Sequence, residues 1–287
     1  MSLPVAIAPA VQRLRAPNPS ALTGTGTNTY LVGTNALAII DPGPDLDNHL
    51  AAILAATRGR PVTAIIVTHA HRDHSALAPR LAAATGAEVL AFGTARDGQP
   101  AALAAVPSTG EGLDHAFTPD RRLADGDRVS GPDWTLAVLH TPGHLGGHIC
   151  LAMESILFSG DHVMGWASSI VSPPEGDMGA YMASLDRLAQ GQWSQLLPGH
   201  GEPVPDPALR IHDLIAHRRT REAQILAALA LGPADAGTLT RAIYHDTPLH
   251  LWPAAERNVL AHLLDLAARN RVEARPALGE GAIFHAL

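Results

Sequence analysis

The chain has 287 residues, a formal net charge of −7 and an isoelectric point near 6.1. Hydrophobic residues make up 46% of it and charged residues 16%, which is typical of a packed enzyme and excludes a disordered chain. All 20 basic residues are arginines, so mechanisms that need a Schiff-base lysine or a phosphate-binding lysine are excluded. The acidic balance also disfavours a protein whose main partner is nucleic acid.

Cysteine content and hydropathy bear on where the protein works. The single cysteine, Cys150, excludes an intramolecular disulfide and lies in an apolar strand, where we predict a core thiol without a catalytic role. Residues 1–17 lack the pattern of a signal peptide, and no apolar run approaches the roughly 20 residues that span a bilayer. We therefore predict a cytoplasmic protein that has no membrane partner.

Short apolar strands and helices alternate through residues 27–201, which predicts an α/β fold. Strands are predicted within 27–33, 35–41, 62–67, 87–93, 148–154, 155–162 and 193–201, with a hairpin-like β unit at 122–144. Helices are predicted within 47–59, 74–86 and 180–190. The Gly/Pro/Ala-rich stretch at 94–119 is predicted as a loop or partial helix.

Pro203, Pro205 and Pro207 predict a linker. The chain after them is mostly amphipathic helix with few strands. A domain boundary is therefore predicted between 1–207 and 208–287. Helices follow at 208 to about 231, 237–244 and 253–270, and two short strands follow at 271–277 and 281–287. Three helices closed by a β-hairpin form a winged-helix-like unit. Its nine arginines and eight acidic residues leave it nearly neutral, which favours a structural role or homodimerisation over DNA binding.

The strongest chemical signal is the run from Thr68 to His74, directly after an apolar strand and directly before a helix. It holds three imidazoles and one carboxylate: His69, His71, Asp73 and His74. Side chains at a strand-to-helix turn converge on one point, and these types suit a borderline cation such as zinc. A solvated His-rich run is the alternative, although such runs are more typical of disordered tails.

Three further polar residues, His144, Asp161 and His200, each stand at the carboxyl end of an apolar strand and beside a glycine. Ligands of α/β folds bind at this edge of the sheet, and glycine allows the backbone to turn sharply there. The repetition predicts that the three side chains join the His69–His74 run at one site. A single buried histidine, taken alone, would more often be a core residue.

These seven residues resemble the signature of the metallo-β-lactamase superfamily, an HxHxDH motif followed by separate His, Asp and His ligands. The resemblance covers about residues 25–205. It implies an αββα sandwich that binds two divalent metal ions, most simply Zn²⁺, with Fe or Mn as alternatives. The tail, including residues 211–229, resembles the winged-helix domain of the lactamase-β-2-like group.

The resemblance also implies a role for each residue. It assigns His69, His71 and His144 to the first ion and Asp73, His74 and His200 to the second, with Asp161 bridging the two. A hydroxide held between the ions would be the nucleophile. Asp73 is implied as the catalytic residue that orients this hydroxide or relays its proton.

The substrate class stays open on the sequence. Superfamily members that hydrolyse β-lactams commonly have Cys where Asp161 stands, and the large nuclease branch has an inserted domain where only about forty residues separate Asp161 from His200. The first hypothesis is therefore a hydrolase of a small ester or thioester. The second is a single-strand-selective endoribonuclease like the lactamase-β-2-like group, with RNA as a disfavoured partner. The third is a weakly catalytic, dimerising interaction protein.

Other residues carry weaker signals. Asp41, at a strand end, either fixes a ligand imidazole by a hydrogen bond or only terminates the strand. His148 is an alternative ligand to His144, which the TPG context favours. The run at 217–221 could bind phosphate, but Arg218 and Glu222 are predicted to form an i,i+4 pair, which favours a solvated helix face. Substrate-facing or simple loop-packing roles are open for four residues: Trp166, Ser168, Ser169 and Tyr181.

Overall fold

The computed structural model describes residues 3–110, 112–278 and 281–287. Its first sheet has seven strands that are neighbours in chain order. They are β1 (Val5–Ala8), β2 (Val11–Arg15), β3 (Asn28–Val32), β4 (Leu37–Ile40), β5 (Val62–Ile66), β6 (Glu88–Ala91) and β7 (Arg121–Arg122). Strands β1 to β4 pair antiparallel, and β4 to β7 pair parallel.

The second sheet has five strands in the order β12-β11-β10-β9-β8. They are β8 (Arg128–Ser130), β9 (Thr135–His140), β10 (Ile149–Met153), β11 (Ile156–Gly160) and β12 (Gln195–Pro198). Strand β12 pairs parallel to β11, so both strands end at the same edge of the sheet. The other neighbours are antiparallel.

Helices cover the outer faces of both sheets. Beside the first sheet lie α1 (Asp47–Thr57), α2 (Arg72–Ser75) and α3 (Ala78–Thr85). Beside the second sheet lie α4 (Met178–Leu188) and the first part of α5 (Pro207–Leu229). In place of the one helix predicted at 74–86, the structure has α2 and α3, which are separated by a turn at Ala76 and Leu77.

Alternation along the strands explains the layers, because successive side chains of a strand point to opposite faces of its sheet. In β4, Ile39 packs against the helices and Ile40 packs between the sheets. In β11, Leu157 packs outward and Phe158 packs inward, where its ring lies 5.3 Å from that of Tyr30 on β3. The predicted αββα sandwich is confirmed.

The hairpin β1–β2 was not predicted. Strand β1 is exposed or half-buried along its length, as expected for the edge of a sheet, and Gln12, Arg13 and Arg15 interrupt the apolar pattern of β2. Edge strands of this kind lack the clean alternation that identifies a strand in the sequence. The segment at 94–119 contains one 3₁₀ turn, Ala101–Leu103, and otherwise no regular element among its described residues.

The tail forms the predicted winged-helix arrangement. The second part of α5 packs with α6 (Ala236–Ile243), α7 (Trp252–Ala268) and the hairpin of β13 (Val272–Arg275) and β14 (Ile283–Ala286). A 3₁₀ turn, Leu249–Leu251, precedes α7. In the part of the chain that the structure describes, no helix has both the length and the apolar character needed to cross a membrane.

Helix α5 belongs to two hydrophobic cores. Ile211 and Leu214 pack against the outer face of the second sheet, whereas Ile225 and Leu229 pack inside the tail. The helix begins at Pro207, after the Asp206 side chain accepts a hydrogen bond from the Leu209 amide. The division of the chain after residue 207 therefore stays a prediction, since the first turns of this helix belong to the core of the sandwich.

Candidate metal centre

The His69–His74 run forms the turn between β5 and α2. Strand β5 ends at Ile66, so His69 stands three residues beyond the strand, and His71 is the N-cap residue of α2. Asp73 and His74 lie in the first turn of that short helix. The local order of strand, turn and helix therefore points this group of side chains toward the second sheet.

The second sheet contributes the other three residues from three of its strand ends. His144 follows β9, Asp161 directly follows β11, and His200 follows β12. A close approach at this edge requires glycine at position 199. A Cβ atom on Gly199 would lie 2.4 Å from Asp161 Oδ1 and 2.6 Å from the Cε1 atom of His74.

One group of imidazoles is formed by His69, His71 and His144. His71 Nδ1 lies 3.0 Å from His144 Nε2. The His69 ring centroid lies 4.8 Å from that of His71 and 5.0 Å from that of His144. All three ligand atoms lie within 4.8 Å of one another, which is close enough for one metal ion.

A second group is formed by Asp73, His74 and His200, with Asp161 beside it. His200 Nε2 lies 3.2 Å from Asp73 Oδ2 and 3.2 Å from His74 Nε2. Asp161 reaches both groups, because its Oδ2 lies 3.3 Å from His200 Nε2 and 3.9 Å from His144 Nε2. The structure thus brings all seven predicted residues together and places Asp161 between the two groups.

Hydrogen bonds to Asp41 and Thr68 orient two of the imidazoles. Asp41 Oδ2 accepts from Thr68 Oγ1 and from His74 Nδ1, both at 2.9 Å. Since the Thr68 hydroxyl donates its proton to Asp41, it accepts from His69 Nδ1 at 3.0 Å. When these two rings are neutral, both Nε2 atoms therefore present a lone pair to the site. Of the two roles predicted for Asp41, the structure therefore supports the contact with an imidazole.

Backbone carbonyls orient two further imidazoles. His144 Nδ1 donates to the Ile170 carbonyl at 2.6 Å, and His200 Nδ1 donates to the Gly26 carbonyl at 3.4 Å. Neither acceptor could be identified from the sequence, because a carbonyl is present at every position. With Nδ1 bound in this way, the Nε2 atoms of His144 and His200 face the centre of the site.

Lone pairs that face one another fit a bound cation. His74 and His200 present their Nε2 atoms to each other at 3.2 Å, and both Nδ1 atoms donate elsewhere. This contact is repulsive unless a proton or a metal ion lies between the two nitrogens. The buried Nε2 atom of His69 has no hydrogen-bond partner, which is costly for a buried polar atom and is explained by a metal ligand role.

The first group of imidazoles is held neutral. Burial lowers the pKa of His69 well below its ordinary value, and the neighbouring His74 lowers it further. Burial and the neighbouring His144 lower the pKa of His71 to about 3, and burial also lowers the pKa of His144. Neutral imidazoles carry the lone pair that a metal ion needs.

The second group is charged. Burial opposes protonation of His74 and His200, but the carboxylates outweigh it. Asp161, followed by Asp73 and Asp41, raises the pKa of His74 well above its ordinary value, and Asp161 with Asp73 raises that of His200 to about 9. Burial alone would raise the pKa of Asp73 and Asp161, but these imidazoles hold both below the ordinary range. Carboxylates and protonated imidazoles therefore neutralise each other where a cation would bind.

His148, the alternative ligand to His144, is engaged in other contacts. Its Nδ1 contacts the Thr141 hydroxyl at 2.9 Å, and its Nε2 accepts from the Asp161 amide at 3.2 Å. Both nitrogens are thus in use, and the ring supports the backbone of Asp161. Cys150 is fully buried beside Thr141, and burial raises the pKa of its thiol to about 12, as expected for a core thiol.

The four residues predicted around the loop after Asp161 divide into two pairs. Ser169 and Tyr181 are buried, and each donates a hydrogen bond to the His162 carbonyl. Trp166 is 47% exposed and, like Ser168, lines surface cavities beside the site. Only Trp166 and Ser168 are therefore open to a substrate.

The predicted solvated face at 217–221 is wrong for Arg218. Its side chain is 1% exposed, and it donates to the Asn258 side chain and the Ser169 carbonyl. Glu222 pairs instead with Arg269 at 2.6 Å. The i,i+4 spacing is real, but long-range acceptors displaced the local pair.

Comparisons with known proteins agree with this geometry. The family model "Metallo-beta-lactamase superfamily" matches residues 22–200, and the model "Beta-lactamase associated winged helix domain" matches residues 236–278. A Beta-lactamase-like protein 2 homolog from Drosophila melanogaster is 32% identical over 296 residues, which cover 96% of each chain. An atrochrysone carboxyl ACP thioesterase from Paecilomyces divaricatus is 30% identical and covers 81% of this chain and 68% of its own.

A solved structure shares both parts of the fold. The crystal structure of a beta-lactamase domain protein from Burkholderia ambifaria superposes with a TM-score of 0.82 at 25% identity. The match covers 99% of this chain and 93% of that chain, so it includes the tail as well as the sandwich. The chain therefore belongs to the metallo-β-lactamase superfamily, as a metal-dependent hydrolase that carries the winged-helix domain associated with this family.

Proposed function

We propose that the protein is a binuclear metal hydrolase that acts on a small thioester or ester. The observation that carries the proposal is the convergence of seven ligand side chains in overlapping groups, within which the ligand atoms lie no more than 4.8 Å apart. Five imidazoles and two carboxylates suit Zn²⁺, with Fe and Mn as alternatives. His69, His71 and His144 would hold the first ion, Asp73, His74 and His200 would hold the second, and Asp161 would be shared by both.

Two divalent cations at such a site supply a nucleophile by lowering the pKa of bound water, and they polarise the oxygen of the attacked carbonyl. Asp73 is the residue of this site that we assign to proton transfer. Its side chain is 28% exposed, whereas those of His74 and His200 are at most 2% exposed. Its carboxyl group is held ionised by those imidazoles, so it can accept a hydrogen bond that orients a water molecule and relay the proton of that molecule.

Three observations support a thioester or ester as the substrate. The thioesterase from Paecilomyces divaricatus is a relative of this chain over most of its length. The net charge of −7 does not suit a polyanion such as RNA. Asp161 stands where the resemblance implies a cysteine in enzymes that hydrolyse β-lactams, which disfavours a β-lactam substrate.

We place the acyl part of the substrate in a cavity beside the second group. The cavity has a volume of about 510 Å³, and its lining includes Gly201, the neighbour of His200. Trp166, Pro203 and Val204 give it a largely apolar lining. An apolar cavity with a polar reaction centre at one end is typical of sites for acyl substrates.

The test is a substrate panel given to purified full-length protein of measured metal content. We expect turnover of acyl thioesters or small esters and lactones, and loss of this turnover after treatment with EDTA. Cleavage of a labelled single-stranded RNA alone would support the endoribonuclease hypothesis instead. Full metal loading without turnover of any substrate would support the interaction protein, and the oligomeric state in solution would then test the predicted homodimer.

A further inference from the structure

The loop that follows β11 contacts two of the proposed metal ligands. The Ser169 hydroxyl donates to the Asp161 carbonyl, and the Ile170 carbonyl accepts from His144 Nδ1 at 2.6 Å. Asp161 and His144 stand at different strand ends, so this short segment is where their positions are coordinated. The ring of His144 can face the site only while the Ile170 carbonyl stays in place.

Two side chains from the C-terminal helices hold this segment. Arg218 on α5 donates to the Ser169 carbonyl. Asn258 on α7 accepts through Oδ1 from the Val171 amide at 3.0 Å and from Arg218 Nη1 at 3.1 Å. Both side chains are buried, with exposed fractions of 1% and 8% for the whole residues. The backbone on both sides of Ile170 is thus tied to the tail.

Arg218 is an unusual group to bury for stability alone. Among the residues that the structure describes, no carboxylate forms an ion pair with it, and its buried Nε atom has no hydrogen-bond partner. Its other contact is the face of the Tyr181 ring, whose centroid lies 5.2 Å from the guanidinium carbon. Burial of a charge without a counter-charge is costly, so a purely structural site would favour an apolar residue.

We propose that Arg218 and Asn258 are positioning residues of the metal centre. They fix residues 169–171 and, through this segment, the His144 ring and the Asp161 backbone. The tail therefore takes part in metal binding although it supplies no ligand. This inference rests on the proposed function, because it assumes that His144 and Asp161 bind metal.

Asn258 offers the sharpest pair of variants. Asn258→Asp keeps an oxygen that accepts from Val171 and Arg218, adds a negative charge beside the Arg218 guanidinium, and loses the bond from Nδ2 to the Ala254 carbonyl in the same helix. Asn258→Leu removes the acceptor at similar size. We expect Asn258→Leu to weaken Zn²⁺ binding roughly 10- to 100-fold, the usual effect of groups that orient metal ligands, whereas Asn258→Asp stays close to wild type.

A second pair of variants tests the arginine. Arg218→Met should weaken Zn²⁺ binding over the same range, and Arg219→Met is the matched control, because Arg219 is the exposed neighbour on the same helix. The measurement is a Zn²⁺ titration of each full-length protein against a competing chromophoric chelator. Thermal unfolding of the metal-free proteins is recorded in parallel.

The outcomes separate this inference from its alternatives. A purely structural role would lower the unfolding temperature and leave the Zn²⁺ affinity of the folded protein unchanged, and that result would overturn the proposal. Equal losses in Asn258→Asp and Asn258→Leu would overturn it too. If Arg218→Met does not fold, the Asn258 pair decides. Wild-type protein that binds no Zn²⁺, Fe or Mn would instead refute the proposed function.

Discussion

The two halves of the proposed metal centre differ in residue type and in charge, because the first has only imidazoles and the second combines imidazoles with carboxylates. In the half formed by His69, His71 and His144, burial lowers every pKa and the imidazoles are neutral. In the half around His74 and His200, carboxylates raise the pKa of both imidazoles. A cation binds the first half without competition, whereas it must displace protons from the second. We expect the two sites to fill in that order as the pH rises.

The largest effect should come from Asp161, the residue that both halves share. Asp161→Ala should remove both ions and lower kcat/KM about 1,000-fold or more, because the ions supply several kcal/mol of stabilisation to the transition state. His71→Ala should lower metal content and activity together but act first on its own half. Metal analysis and steady-state kinetics check both variants. Either variant with full metal content and full activity would contradict the assignment.

The pH dependence of metal binding tests the difference between the halves directly. The pKa of His200 is about 9 in the folded protein against an ordinary value of 6.5, and that of His74 is also raised, so a metal ion competes with at least one proton in this range. The affinity of the second site should rise by at least about tenfold for each pH unit until the pH reaches the pKa of His200. Zn²⁺ titrations across the range check this, and a pH-independent affinity for both ions would contradict it.

Stability of the metal-free protein should move in the opposite direction. A raised pKa in the folded state means that protonated His200 stabilises the fold fully below pH 6.5, and this contribution is lost as the pH rises to about 9. Thermal unfolding of protein treated with a chelator should therefore show declining stability over this window. Protein loaded with metal provides the control, because its second site holds a cation in place of the proton.

A smaller effect is expected at Asp41, which supports only one half. One oxygen of Asp41 accepts from the Thr68 amide and the other from Thr68 Oγ1 and His74, so Asp41→Asn replaces one of these acceptors by an NH₂ group. We therefore expect a roughly 10- to 100-fold loss of affinity for the ion held by His74. Asp45→Asn is the matched control, because Asp45 is exposed and pairs only with Arg80 at the surface. Equal behaviour of the two variants would show that Asp41 does not orient His74.

The smallest effect concerns the side from which the substrate enters. Trp166 lines the cavity beside His200, so Trp166→Ala should raise KM for long-chain acyl thioesters roughly fivefold to tenfold through lost apolar contact. Acetyl thioesters, which do not fill the cavity, serve as the internal control. An unchanged KM for long-chain acyl thioesters would contradict the placement of the acyl group in this cavity.

The sequence predicted well which seven side chains lie together, because their signals are local. A short motif after β5 and three strand ends next to glycines already bring the seven side chains to one edge. The supporting residues were harder to predict. Arg218 stands 49 residues from the carbonyl that it binds, and within its own helix it looks like half of a surface ion pair. The roles of Ile170 and Gly26 depend on carbonyls, which no side-chain pattern reveals.

Helix α5 is continuous over 23 residues, and its two ends pack in two different hydrophobic cores. A rotation of the tail relative to the sandwich would have to bend this continuous helix, so α5 does not act as a hinge between them. In a chimera that combines this sandwich with the tail of a relative, the junction should therefore lie inside α5 and not at the prolines that precede it. The first turns of α5 should come from the same protein as the sandwich.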